Sequence, residues 1–274
     1  MTFLFIGDIC GRPGRDLIRR GLAGLVAHYD ADLVIANVEN AAAGFGITPD
    51  LAEDLAGYGI AVMTTGNHVW DKKEIYPYFA MQPRLLRPAN FPAGAPGNGS
   101  VVVRTAGGVA VGVINVMGRV FMTALDDPFA VVLREIEAVK REASIVFVDF
   151  HAEATSEKVA MGWHLDGRVT AVAGTHTHVQ TADERVLPRG TAYITDTGFT
   201  GPHDSVIGVE RSAALARFVT AMPQRFETAS ENPRLNGIAV TCDPATGRAS
   251  AIERINLSAA ELDALAATTA AARG

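Results

Sequence analysis

The first part of the chain alternates between two hydrophobic patterns. Short runs rich in β-branched residues, which are typical of buried strands, occupy residues 2–6, 33–38 and 60–65. Between them, apolar residues recur at helical spacing over residues 15–28 and 49–56, and Thr48 followed by Pro49 is a helix-start signal. This order predicts two βαβ units, in which parallel strands are joined by crossover helices.

The pattern changes in the middle of the chain, where turn-forming segments separate pairs of strand-like runs. Ala106-Gly107-Gly108 lies between residues 100–104 and 109–116, and Asp243-Pro244-Ala245-Thr246-Gly247 lies between residues 237–242 and 249–255. Each set predicts an antiparallel hairpin. Further strands are predicted over residues 144–150, 169–173 and 192–195, with helices over residues 129–141 and 156–164 and an Ala-rich helix at the end. No internal repeat or Pro/Gly linker divides the chain, so we expect one α/β domain over residues 1–274 with mixed sheets.

Composition and charge exclude several classes of protein. Hydrophobic residues make up 48% of the chain and charged residues 20%, a balance that excludes an extended disordered regulator. The 24 Lys and Arg against 30 Asp and Glu give a net charge of −6, the wrong sign for stable binding of duplex nucleic acid by phosphate neutralisation. No apolar run approaches the roughly 20 residues of a membrane span, and no basic leader precedes the first strand. We therefore expect a cytoplasmic protein without a membrane partner.

Five groups of polar residues follow directly after strand-like runs. They are Asp8, then Glu39 with Asn40, Asn67 with His68, His151, and His176 with His178. Ligands of open α/β sheets bind beyond the carboxyl ends of the strands, so this placement predicts that the groups converge at one edge.

Each group alone has a simpler explanation. Asp8 suits a helix cap or a turn, and Asn67 beside Gly66 suits a turn. His176 and His178 could be surface residues of a loop. Their joint placement favours a metal site, because carboxylate oxygen, amide oxygen and imidazole nitrogen suit Mn²⁺, Fe²⁺ or Zn²⁺. These residues provide more ligands than one catalytic ion with open coordination positions needs. We therefore hypothesise two ions bridged by one carboxylate, an arrangement that catalyses phosphoryl displacement.

The same residues resemble the ordered motifs of calcineurin-like metallophosphoesterases. The motifs are Gly7-Asp8-Ile9-Cys10-Gly11, Asn37-Val38-Glu39-Asn40, Gly66-Asn67-His68, His151 and Gly174-Thr175-His176-Thr177-His178. Three positions depart from the general pattern: Cys10 replaces a His, Glu39-Asn40 replaces an Asp motif, and Thr175 is inserted before His176. Together with longer strings over residues 7–15, 67–71, 149–158, 174–183 and 196–202, these departures resemble one branch, the YmdB-like phosphodiesterases. The resemblance extends from residue 1 to about residue 257.

This resemblance implies a fold, a metal centre and an activity. The fold is a four-layer α/β/β/α sandwich with two mixed sheets, and the cofactor is a pair of iron or manganese ions. By motif, Asp8, Glu39, Asn40 and His178 would hold the first ion, and Glu39, Asn67, His151 and His176 the second. Glu39 would bridge the ions, and His68 would be the general acid. The implied substrates are 2′,3′-cyclic and 3′,5′-cyclic AMP and artificial phosphodiesters.

A metal-bridging hydroxide would make a protein nucleophile unnecessary, because divalent ions lower the pKa of bound water towards about 7. The chain contains no Gly-x-Ser-x-Gly motif, in agreement with this mechanism. Two other functions stay open at this stage. One is a metal-dependent amidohydrolase with a barrel fold, and the other is a regulatory protein that binds a cyclic nucleotide or RNA-processing machinery with little turnover.

Several neighbouring residues have two interpretations. Asp149, Ser156 and Glu157 are candidates to orient His151, although the last two also suit a helix cap or a solvated position. Arg12 and Arg15 either face a phosphate or form surface salt bridges, with the salt bridges favoured. Cys10 is expected to pack beside the site without reacting, and Cys242 forms no CxxC pair with it. His28 and His164 are expected to be structural, whereas His203 is a candidate to line the site. The sequence leaves homo-oligomerisation open.

Overall fold

The structure, a computed structural model, describes residues 1–273 and shows thirteen strands and seven helices within them. The strands are β1 (Thr2–Ile6), β2 (Asp8–Ile9), β3 (Leu33–Asn37), β4 (Val62–Thr64), β5 (Ser100–Arg104), β6 (Ala110–Met117), β7 (Ile145–His151), β8 (Ala171–Thr175), β9 (Arg185–Val186), β10 (Ala192–Ile194), β11 (Phe199–Pro202), β12 (Pro233–Cys242) and β13 (Ala249–Ser258). The helices are α1 (Gly11–His28), α2 (Pro49–Gly57), α3 (Ile75–Met81), α4 (Pro128–Val139), α5 (Thr155–Leu165), α6 (Arg211–Thr220) and α7 (Ala259–Arg273). None of these helices is long and apolar enough to cross a membrane.

The strands form two mixed sheets. Sheet I has the order β2-β11-β12-β1-β3-β4, with β13 paired to β12, and sheet II has the order β5-β6-β7-β8-β10-β9. The pairs β1/β3 and β3/β4 are parallel, which confirms the two predicted βαβ units. The pairs β5/β6 and β12/β13 are antiparallel, which confirms both predicted hairpins.

The alternation of side chains along β1 shows how the layers are built. Leu4 and Ile6 pack into a core shared with α1, α2, α3 and α7, whereas Phe3 and Phe5 pack against sheet II. The Phe147 ring of β7 lies 4.6 Å from the Phe5 ring and 5.6 Å from the Phe3 ring, between centroids. A third core separates the outer face of sheet II from α4 and α5. The expected four-layer α/β/β/α arrangement is therefore confirmed, and it excludes the barrel required for the amidohydrolase alternative.

Some elements differ from the prediction. The first helix begins at Gly11 instead of residue 15, and the strand predicted over residues 60–65 is limited to β4. The sequence pattern did not indicate α3, α6 or β11. Helix α6 buries only Ala214, so it lacks the apolar stripe on which periodicity depends. Strand β11 contains Gly201 and Pro202, residues that are poor strand formers.

Candidate metal centre

The residues predicted to form the site converge at the carboxyl ends of β1, β3, β4, β7 and β8. Hydrogen bonds and close approaches connect them, although Asp8 and His178 are separated by 170 positions in sequence. Half of them are buried and half are partly exposed. The buried residues are Asp8, Glu39, Asn40 and His151, and the partly exposed ones are Asn67, His68, His176 and His178.

The side chains of Glu39, Asn67, His151 and His176 face one another. His151 Nε2 lies 3.0 Å from Glu39 Oε1, 2.9 Å from Asn67 Oδ1 and 3.1 Å from His176 Nδ1. Ligand atoms of Glu39, His151 and His176 all lie within 4.8 Å of one another, which is a spacing that a shared metal ion requires. Gly66 permits this approach, because a Cβ there would lie 2.1 Å from the His151 ring.

A second set of donors consists of Asp8, Asn40 and His178. His178 Nε2 is 3.4 Å from Asp8 Oδ2, and the same oxygen accepts the backbone N–H of His176 at 2.9 Å. Asp8 Oδ1 and Asn40 Oδ1 are buried and have no hydrogen-bond partner. A buried polar atom without a partner costs about 1–3 kcal/mol, and a divalent cation is a ligand that would satisfy both oxygens. The donor set therefore fits the predicted metal ions.

Burial and mutual contacts shift the pKa values of these groups in different directions. Burial raises the pKa of Asp8 well above its ordinary value. Burial opposes the charge on Glu39 and on His151, but their mutual attraction lowers the pKa of Glu39 to about 2 and raises that of His151 to about 9. Burial and the neighbouring His151 charge lower the pKa of His176 to about 3. The Glu39 carboxylate thus attracts positive charge at the point where the ligand atoms converge.

The segment carrying His176 and His178 has an unusual backbone. Both residues have positive φ angles, 99° and 63°, which are rare outside glycine and cost free energy. The conformation is held by Asp196, whose Oδ2 accepts the backbone N–H of Thr177 at 3.2 Å and its hydroxyl at 2.7 Å. Lys158 Nζ lies 2.5 Å from the same oxygen, and both charged side chains are buried. Sequence reasoning assigned no role to this ion pair.

His68 lies at the edge of the centre. Its backbone N–H donates to Glu39 Oε2 at 3.0 Å, and its side chain is 27% exposed. His68 Nδ1 lies 2.8 Å from Asp71 Oδ2, so its Nε2 is not engaged by that carboxylate. The Phe45 ring meets the His68 ring edge-on at 5.0 Å. This orientation leaves His68 next to the cavity, where a group bound at the centre would be within reach.

Thr175 and Asp149 lie on the Nδ1 side of the His151 ring. His151 Nδ1 lies 2.9 Å from Thr175 Oγ1, which in turn lies 2.7 Å from Asp149 Oδ1. Asp149, one of the three candidates for orienting His151, is therefore connected to the ring through a hydroxyl that the sequence did not indicate. Glu157 instead accepts the backbone N–H groups of Arg119 and Val120 at 3.0 and 3.3 Å, and Ser156 is exposed.

The two arginines near Asp8 do not face the centre. Arg12 pairs with Asp16 at 3.5 Å on the surface, and Arg15 donates to the carbonyl oxygen of Ala41. Cys10 is buried beside the site, and burial raises the pKa of its thiol to about 12, so it is unreactive near neutral pH.

The remaining histidines lie in different surroundings. The His203 ring stacks on Phe199 at 4.6 Å, and Phe199 stacks on His178 at 5.1 Å, so His203 contacts the site through one intervening ring. His28 and His164 contact the aromatic rings of Tyr29 and Phe129, away from the candidate ligands. Glu153, to which the sequence analysis assigned no role, lies 3.0 Å from His176 Nε2. Its position two residues after the candidate ligand His151 could have indicated that Glu153 lies near the site.

A cavity of about 290 Å³ opens onto the centre. Part of its wall consists of polar site residues, including Glu39, Asn40 and His68. Another part consists of residues contributed by loops, among them the apolar Phe45 and Phe226 together with residues 207–209. Its combination of polar and apolar walls suits a ligand that joins an anionic group to an organic one.

Several known proteins are similar to this chain over nearly its whole length. The chain is 48% identical, over 93% of its length and 96% of the relative's, to a protein of Bacillus subtilis named 2′,3′-cyclic-nucleotide 2′-phosphodiesterase. A hypothetical protein from Thermus thermophilus has a similar structure, with a TM-score of 0.87 and 41% identity, covering 94% of this chain and 99% of that one. A structure described as a novel phosphatase from Mycoplasma pneumoniae has a TM-score of 0.88 and 36% identity, covering 94% and 93%. Residues 4–255 match the family model described as YmdB-like protein, and the chain therefore belongs to the YmdB-like family.

Proposed function

We propose that this chain is a phosphoric diester hydrolase that uses two divalent metal ions and acts on cyclic nucleotides of the 2′,3′- or 3′,5′-cyclic AMP type. The observation that carries the proposal is the pair of buried oxygens without hydrogen-bond partners, Asp8 Oδ1 and Asn40 Oδ1, together with the converging ligand atoms of Glu39, His151 and His176. The printed activity of the Bacillus subtilis relative supports diester hydrolysis and the 2′,3′-cyclic substrate.

The donor atoms divide into two overlapping sets. Asp8, Glu39, Asn40 and His178 would hold one ion, and Glu39, Asn67, His151 and His176 the other. Glu39 would belong to both sets; its Oε1 lies 3.0 Å from His151 Nε2, and its Oε2 accepts the His68 backbone N–H at 3.0 Å. Mixed oxygen and imidazole donors favour manganese or iron and also accept zinc. When bound, such ions supply hydroxide at neutral pH and neutralise charge on phosphoryl oxygens.

His68 is suited to protonate the leaving oxygen of the diester. It lies beside the centre without belonging to its buried core, and Asp71 orients its ring through Nδ1. Proton donation by a positioned side chain accelerates cleavage by typically 10²–10⁴-fold when the leaving group is a poor one, such as a ribose alkoxide. The hydrogen bond from the His68 backbone N–H to Glu39 Oε2 fixes the position of His68 relative to the candidate metal ligands.

The apolar wall of the cavity supports an organic diester as substrate. Phe45 lies beside His68, and Phe226 is held by the Arg217 guanidinium, which lies 5.1 Å from its ring centroid. A phosphate bound at the polar wall would leave its organic substituent next to these rings. Aromatic faces stack well on nucleobases, which agrees with a cyclic nucleotide.

The proposal is tested by measuring metal content and hydrolysis on one sample of anaerobically purified protein. We expect two ions per chain, hydrolysis of 2′,3′-cyclic AMP, 3′,5′-cyclic AMP and a nitrophenyl diester, loss of activity with a chelator, and recovery with Mn²⁺ or Fe²⁺. Hydrolysis that resists the chelator would contradict the use of metal ions. Tight binding of cyclic nucleotide without product would favour the regulatory alternative, and one ion per chain would contradict the dinuclear centre.

A further inference from the structure

Thr175 lies between two buried ionisable side chains that belong to adjacent strands. It is the last residue of β8 and is paired in register with His151, the last residue of β7. The side chains of Thr175, His151 and Asp149 are all inaccessible to solvent. Thr175 Oγ1 lies 2.7 Å from Asp149 Oδ1 and 2.9 Å from His151 Nδ1, within hydrogen-bond distance of both.

The surrounding donors identify Asp149 as the acceptor. Asn37 Oδ1 accepts the backbone N–H of Glu39 at 3.1 Å, so the Asn37 amide group is oriented with Nδ2 towards Asp149 Oδ2, also at 3.1 Å. The Thr64 hydroxyl reaches the same carboxylate oxygen. Asp149 Oδ2 thus receives hydrogen bonds from two side chains of sheet I, which leaves Oδ1 to accept the bond from Thr175.

This arrangement determines which nitrogen of His151 carries hydrogen. A threonine hydroxyl has one hydrogen atom, and here it is donated to Asp149 Oδ1. Thr175 Oγ1 must then accept from His151, which requires hydrogen on Nδ1. When His151 is neutral, its Nε2 keeps the lone pair, which is directed to the point where Asn67 Oδ1 and Glu39 Oε1 lie 2.9 and 3.0 Å away. Three electron-rich atoms facing one another in this way suit a shared cation.

We propose that Thr175 is a positioning residue, whose hydroxyl links the Asp149 carboxylate to His151 and holds the imidazole as the Nδ1–H tautomer with Nε2 aimed at a bound divalent cation. This inference rests on the proposed function. The Asp149 carboxylate also accepts a hydrogen bond from Asn37, whose Oδ1 accepts the backbone N–H of Glu39. One buried group therefore orients candidate ligands carried by both sheets. Thr175 is the residue that separates this chain from the Gly-His-x-His pattern, and the proposal gives that departure a chemical reason.

The test compares Thr175→Val, which keeps the shape and removes the hydroxyl, with Thr175→Ser, which restores the hydroxyl. Thr191→Val is the matched control, because Thr191 is equally buried but its hydroxyl donates to the carbonyl oxygen of Val169 at the opposite end of sheet II. Mn²⁺ affinity is measured by calorimetric titration of the chelator-treated full chain. The His151 tautomer is measured by long-range ¹H–¹⁵N correlation in histidine-labelled protein loaded with Zn²⁺.

We expect Thr175→Val to weaken Mn²⁺ binding by about 10- to 100-fold and to lose the uniform Nδ1–H signal of His151. Thr175→Ser should keep affinity and tautomer close to those of the parent, and Thr191→Val should lower the melting temperature without changing affinity. Parent-like Mn²⁺ affinity in a folded Thr175→Val variant would overturn this inference alone. Absence of Mn²⁺ binding by the parent protein would overturn the proposed function together with it.

Discussion

The buried ion pair between Lys158 and Asp196 supports the segment that carries two candidate histidine ligands. Lys158 Nζ lies 2.5 Å from Asp196 Oδ2, and the two side chains are 2% and 1% exposed. The Asp196 carboxylate also accepts hydrogen bonds from Thr177, between the two histidines, and from the backbone N–H of Gly198 at 2.8 Å. Asp196→Asn keeps the shape of the side chain and removes its charge. We expect this change to leave the Lys158 ammonium buried without a counter-charge.

The magnitude follows from the burial of both partners. Removing one member of a buried ion pair destabilises a protein by about 3–5 kcal/mol, because the remaining charge stays desolvated. Asp196→Asn and Lys158→Met should each lower the free energy of unfolding by about this amount. The double variant removes both charges, so its loss should be smaller than the sum by about 1–3 kcal/mol. Both single changes weaken the support of the strained backbone at His176 and His178. We therefore expect each of them also to lower kcat, by about 10- to 100-fold.

Urea denaturation of the chelator-treated variants measures the free energies, and hydrolysis of a nitrophenyl diester measures kcat. Asp16→Asn is the control, because Asp16 pairs with Arg12 on the surface, where their side chains are 40% and 85% exposed. That exposed pair should contribute less than about 1 kcal/mol. Strict additivity of the two single changes at Lys158 and Asp196, or a loss as small as that of Asp16→Asn, would refute the reasoning.

Three further changes test the centre itself. His68→Ala should lower turnover of 2′,3′-cyclic AMP by about 10²–10⁴-fold, with a smaller effect on a nitrophenyl diester whose leaving group needs no proton; loss of bound metal by elemental analysis would contradict its role as acid. Glu39→Gln should deplete both metal ions by the same analysis, and full occupancy would contradict a bridging role. Gly66→Ala places a Cβ 2.1 Å from the His151 ring and should weaken Mn²⁺ binding in a titration, whereas Gly57→Ala, with nothing within 4 Å, should not. Equal affinity of these two glycine variants would show that the His151 ring moves aside freely.

The hydrophobic pattern was sufficient to predict the layers but not every element. Alternation in β1 places Phe3 and Phe5 on one face and Leu4 and Ile6 on the other, and both faces are apolar because both are covered. Such a strand can be recognised from local sequence. Helix α6 could not, since its conformation owes little to a buried apolar stripe and only Ala214 is buried. Pairing with distant strands, as in β11, leaves no periodic signal either.

The site could be predicted as far as residue chemistry and position after a strand allow. Asp8, Glu39 and His151 were expected to converge, and the structure brings them together. The role of Thr175 could not be read from sequence, because threonine is common in strands and its hydroxyl bonds depend on a register between β7 and β8. The pairing of Lys158 with Asp196 likewise depends on how α5 packs, which no local pattern specifies.

The position of β1 in sheet I has a consequence for how the chain acquires its active form. β1 is flanked by β3 on one side and by β12 on the other, in a register that joins Thr2 to Thr241 and Ile6 to Gly237. Asp8, the first candidate ligand, therefore follows a strand that pairs with β12, more than 230 positions away in sequence. Such long-range pairing slows folding, because loop closure must precede the contacts that reward it. A chain interrupted before β12 would lack the partner that holds β1, and with it Asp8, in place.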